Sequence, residues 1–146
     1  MEGAARRLTT ATVSVVPFAL ALTAVLVLLA VFQLALVLGA PLGRFAWGGQ
    51  HRLLPPRLRV GSAVSIVVYA FIAAIAWDRV GLIDIFGGAF SEVAMWVVVG
   101  YFALGILMNA VSRSVPERAV MVPVSIVLTG LSLLIALGYG ELALAA

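Results

Sequence analysis

Long apolar runs separated by short charged stretches set the pattern of this chain. The first run covers residues 13–39 and carries only Ser14, Thr23 and Gln33 as polar side chains. Three more follow at 61–77, 93–111 and 119–139. A helix needs about 20 predominantly apolar residues to cross a bilayer, so each run predicts one spanning helix. The second is short, and Trp77 at the headgroup level with small residues at the other end extends it. Pro17 falls in the first turn of its helix, where proline is tolerated. Arg6 and Arg7 ahead of the first run resemble the start of a signal peptide. The apolar core of such a peptide is about 7–15 residues, and this run is far longer, so it is expected to remain as a span.

Composition points the same way. Hydrophobic residues make up 64% of the 146 residues and charged ones 10%, whereas soluble domains carry about a quarter charged residues. A water-soluble fold would expose much of this apolar surface, and a bilayer removes that cost. The expected architecture is an all-α polytopic integral membrane protein, a four-transmembrane-helix bundle forming one domain over 1–146, with residues 40–60 as a polar loop and the lipid bilayer as its first partner. The absence of cysteine excludes disulfides, thiol chemistry, iron–sulfur clusters and cysteine-bound zinc.

Charge adds orientation. Every basic residue is an arginine, and the net charge is +3. These arginines lie at span boundaries rather than in a solvated patch, which argues against nucleic acid and for anionic lipid headgroups as counter-charges. Arg44, Arg52, Arg57, Arg59, Arg113 and Arg118 fall on one side, and Arg6, Arg7 and Arg79 on the other. The positive-inside rule then places 40–60 and 112–118 in the cytoplasm, most simply of a bacterial cell. Arg6 and Arg7 pull against that orientation. Small residues four apart (Ala19 and Thr23, Ala70 and Ala74, Ser125 and Thr129, Ser132 and Ala136) suit close helix approach within a bundle or a homo-oligomer contact.

Candidate chemistry concentrates in "GRFAWGGQHRLLPPRLR", residues 43–59. Gly48 and Gly49 allow the backbone to turn closely around a ligand, and His51 is a candidate catalytic acid or base. Arg44, Arg52, Arg57 and Arg59 suit a phosphate or carboxylate, as do Arg113 and Arg118 across the bundle end. Trp47 serves as an aromatic wall or an interface anchor. Each feature also has a plain structural reading: glycines and Pro55-Pro56 end spans, and flanking arginines set topology. A lone histidine makes no metal cluster, so no metal is expected. No feature identifies a cofactor.

Ser114 and Glu117 match a capping box ahead of the fourth run, with Pro116 in its first turn. Alternatively, Glu117 pairs with a loop-one arginine. The second connection, 78–92, is itself largely apolar and is expected to lie in the interface, with Ser91 as a cap for the third span. Asp78, Asp84 and Glu92 lack the spacing of a cation loop and read as boundary charges.

No charged side chain lies mid-span, which disfavours proton relays and ion-coupled transport. Gln33, Asn109, Tyr69 and Tyr101 are expected to make ordinary interhelical hydrogen bonds. No phosphate loop, dinucleotide fingerprint, nucleophile elbow or zinc-helix motif is present. Three functions fit. The first is a non-enzymatic accessory, assembly or oligomer-forming subunit that acts with copies of itself or with a partner membrane protein. The second is an enzyme acting on a lipid or isoprenoid through residues 43–59. The third is a small-molecule exporter or channel. Thin catalytic equipment places the first ahead.

Overall fold

The computed structural model describes residues 15–138; Arg6, Arg7, Ser14 and Tyr139, with the outer ends of the first and fourth runs, lie outside them. Four helices follow in order: α1 (Val16–Val37), α2 (Pro56–Arg79), α3 (Gly88–Ala110) and α4 (Val115–Ala136). Their 22 to 24 residues, at 1.5 Å per residue, span about 33–36 Å, enough for the hydrocarbon core. All four are apolar enough to cross a membrane. This is an integral membrane four-helix bundle.

The helices form a ring in which α1 packs on α2 and α3 on α4 more closely than the two hairpins pack on each other. Leu22, Leu26, Ile75, Met95, Phe102 and Leu128 fill the centre and are almost wholly buried. Outward positions stay apolar: Leu28, Val97 and Leu107 are 71%, 67% and 64% exposed. A surface of this kind belongs in lipid rather than water.

Proline and polar caps set where the helices begin. Pro56 starts α2 at its first position, with extended Pro55 as the preceding cap; proline fits there because the first N–H groups of a helix lack intrahelical partners. The helix therefore begins five residues before the run that hydropathy picks out, and Arg57 and Arg59 are helical rather than part of a loop. Similarly, α3 begins at Gly88 rather than 93, after Gly87 at φ +81°. Ser91 is consequently inside the helix and does not cap it: its hydroxyl donates to the Gly88 carbonyl at 3.2 Å.

The small-residue pairs divide. Ala19, Ser125, Ser132 and Ala136 are buried, and Asn109 Nδ2 donates to Ser125 Oγ at 2.9 Å across α3 and α4. Ala70 is exposed. Trp77 is not only an interface anchor. Its indole N–H donates to Thr23 Oγ1 at 2.8 Å, and that hydroxyl donates to the Ala19 carbonyl at 2.8 Å, fastening α2 to α1. At the same end, Asp78 accepts from the Ile85 and Phe86 N–H groups at 2.7 and 2.9 Å. This closes the α2–α3 connection, where Phe86 packs edge-on against Phe71 and at a tilt against Phe90.

Candidate functional site

Residues 43–54 are folded, not a loose hinge. Leu36, Ala46 and Leu54 form a small buried core of their own at the end of α1, with Phe32, Leu42 and Leu58 against it. Gly43 N–H donates to the Arg52 carbonyl at 3.0 Å and draws the two ends of the segment together. At its tip Trp47, Gly48 and Gly49 all have positive φ (55°, 81° and 69°). Glycine adopts that conformation freely, but tryptophan does so at a cost of about 1–2 kcal/mol. The turn aims the indole back across the bundle, where its N–H donates to Ser62 Oγ at 3.1 Å. Ser62 is fully buried. Gly61 makes room for the ring: a Cβ there would lie 2.7 Å from Cη2 of Trp47.

The turn is latched to the opposite hairpin as well. Gly48 N–H donates to Glu117 Oε1 at 3.3 Å, and the Ser112 hydroxyl donates to Glu117 Oε2. The Ser114 hydroxyl donates to the Arg44 carbonyl and accepts from Glu117 N–H. Ser114 thus caps α4 as the sequence implies, but the capping box is only half made. Ser112 Oγ takes the Ser114 N–H that a glutamate would take, leaving the Glu117 carboxylate for the first connection. Glu117 meets a backbone amide there, not an arginine. It is 6% exposed.

Beside this segment lies a cavity of about 280 Å³ lined by all four helices and by residues 45–47. Residues 45–47 cover it at the bundle end, and it opens sideways past Leu104 and Met108, which are exposed. Its walls are mainly apolar, with Gln33, Tyr69, Tyr101, Asn109, Glu117 and Ser125 as the polar members. Gln33 is 9% exposed and interacts with Tyr69, yet its Oε1 has no hydrogen-bond partner. A buried acceptor left empty costs about 1–3 kcal/mol, so this atom marks the place where a ligand gains most. A second, wholly apolar space of about 340 Å³ runs between α1 and α4. It shares Leu29, Phe32, Phe45, Met121 and Val124 with the first, so one layer of side chains separates them. A larger groove of about 410 Å³ between α2 and α3 is lined almost entirely by hydrocarbon.

The structure brings some expected site residues together and disperses others. Trp47 and Glu117 line the cavity, and Ser114 latches its lid. His51, Arg44, Arg52, Arg57, Arg113 and Arg118 are exposed, and none lines the cavity. Arg59 donates from Nε to the Leu54 carbonyl at 2.9 Å and braces the end of the segment. Arg118 donates to the Ser112 carbonyl at 2.9 Å, and the Arg44 guanidinium lies 4.7 Å over the Phe45 ring. Among the described residues no group of three or more His, Asp or Glu is placed to hold a metal ion. Gln33, Tyr69 and Tyr101 are site residues that read in the sequence as ordinary interhelical contacts. Their only signal there is that they are polar within otherwise apolar runs. No protein family, curated protein or solved structure matches the chain.

Proposed function

We propose that this protein is a non-enzymatic membrane subunit whose working part is the lidded cavity, which takes up an amphiphilic small molecule from the bilayer. The observation that carries this reading is the unpartnered, nearly buried Gln33 Oε1 in a cavity whose other walls are mostly apolar. Ligand sites of membrane and soluble proteins alike combine an apolar enclosure with a few oriented polar groups. What favours binding over a reaction centred on His51 is that the histidine side chain faces out and stands apart from the cavity.

The same reading places the bundle in a bacterial cell membrane with the lid on the cytoplasmic side. Among the described residues that end carries six arginines and Glu117, and the other end carries Arg79 with Asp78, Asp84 and Glu92. Exposed Arg44, Arg52, Arg57, Arg113 and Arg118 then meet anionic headgroups. Native mass spectrometry of the protein released gently from its own membrane tests the reading. A retained small amphiphile is expected, lost in Gln33→Leu and kept in His51→Ala. A folded protein that carries nothing, or a ligand lost only in His51→Ala, would contradict it.

A further inference from the structure

We propose that the ligand is a neutral hydroxyl-headed amphiphile, a long-chain or isoprenoid alcohol, which enters sideways from the bilayer between α1 and α4. This rests on the reading of the lidded cavity as a ligand site and specifies its occupant. An anionic head is excluded by charge. The carboxylate of Glu117 lines the cavity and no arginine does, so an anion would be repelled at close range in a medium of low dielectric. A cationic head would have to displace donors that already hold both Glu117 oxygens, Gly48 N–H and the Ser112 hydroxyl, and so loses in broken hydrogen bonds what it gains in charge.

What remains open is the acceptor Gln33 Oε1, with the phenols of Tyr69 and Tyr101 on the same cavity. An alcohol fits that pair of roles. Its O–H donates to the amide oxygen and its lone pairs accept from a tyrosine hydroxyl. At about 280 Å³ the cavity holds a head and a short stretch of chain. The longer hydrocarbon body lies in the adjoining apolar space between α1 and α4, which is itself lipid-facing. Phe32 and Met121 stand between the two spaces, and a shift of these side chains joins them. A two-chain phospholipid exceeds both spaces.

Dodecanol, dodecanoate and dodecylammonium, titrated against the full-length protein in mild detergent and followed by native mass spectrometry, separate the head chemistries at constant chain length. Dodecanol is expected to bind most tightly. Gln33→Leu should weaken dodecanol by about tenfold, the worth of one buried hydrogen bond, while leaving the two ionic probes unchanged. Equal or tighter binding of dodecanoate or dodecylammonium would overturn the alcohol assignment and leave the ligand site standing. Failure of all three probes would remove both. Should Gln33→Leu not fold, the wild-type ranking of the probes decides.

Discussion

Gly61→Leu should open the lid without unfolding the bundle. A first side-chain carbon at position 61 would lie 2.7 Å from Cη2 and 2.8 Å from Cζ2 of Trp47, well inside the 3.5–4.0 Å of an ordinary carbon contact. The rest of the leucine leaves the indole nowhere to go but out. Trp47 is 43% exposed, so of the roughly 250 Å² a tryptophan offers, about 140 Å² is covered. At about 25 cal/mol per Å² that cover contributes at most about 3.5 kcal/mol, and the bond to Ser62 adds about 1 kcal/mol. One term offsets the loss: release of the left-handed Trp47 backbone returns about 1–2 kcal/mol. The closed lid is therefore held by roughly 3 kcal/mol, a factor of about 100 in population that the substitution removes.

Because the chain contains no cysteine, a single Met121→Cys placed under the lid reports that population. Its labelling rate with a soluble maleimide should rise about 100-fold when Gly61→Leu is added. The bundle should stay cooperatively folded and lose only about 2 kcal/mol in a thermal melt, because leucine favours the helix over glycine by about 0.8 kcal/mol. An unchanged or slower rate in a folded double variant would refute the assignment of Trp47 as the lid's fastening.

Three further outcomes follow from the same contacts. Gln33→Leu should raise the stability of the ligand-free protein by about 1 kcal/mol, because relief of an empty buried acceptor outweighs the lost Tyr69 contact; a lower melting temperature would count against Oε1 being unpartnered. Ser114→Ala removes both the α4 cap and the bond to the Arg44 carbonyl. It should cost about 1–2 kcal/mol in a thermal melt and speed labelling at Met121→Cys, whereas a pure cap would move the melt alone. Asp78→Ala frees the Ile85 and Phe86 amides and should expose residues 80–87 to protease at the far end of the bundle, with dodecanol binding unaltered.

The bundle was legible because composition alone forbids a soluble fold, and the spacing of apolar runs counts the helices. Helix starts were less so. Arg57 and Arg59 lower the local hydropathy, although a helix continues readily through the headgroup region once Pro56 has started it. Ser91 and Glu92 hide the first turn of α3 in the same way. The lid was the least visible part. Its glycines and prolines announce a change of direction, but its partners Ser114 and Glu117 lie some 70 residues on, and no local pattern links them. Gln33 was visible as a polar residue near a helix end. Its placement on the cavity depends on the rotation of α1, and a helix apolar on every side gives no preferred face from which to read that rotation.

The most direct test is photo-crosslinking with a long-chain alcohol carrying a diazirine near its hydroxyl, followed by mapping of the adducts in the wild-type protein. Adducts on Phe32, Met121 and neighbouring α1 and α4 residues beneath the lid, reduced in Gln33→Leu, are the predicted result. Adducts on Phe71 and Val97 in the α2–α3 groove, or spread evenly over the lipid face, would contradict a lidded ligand site.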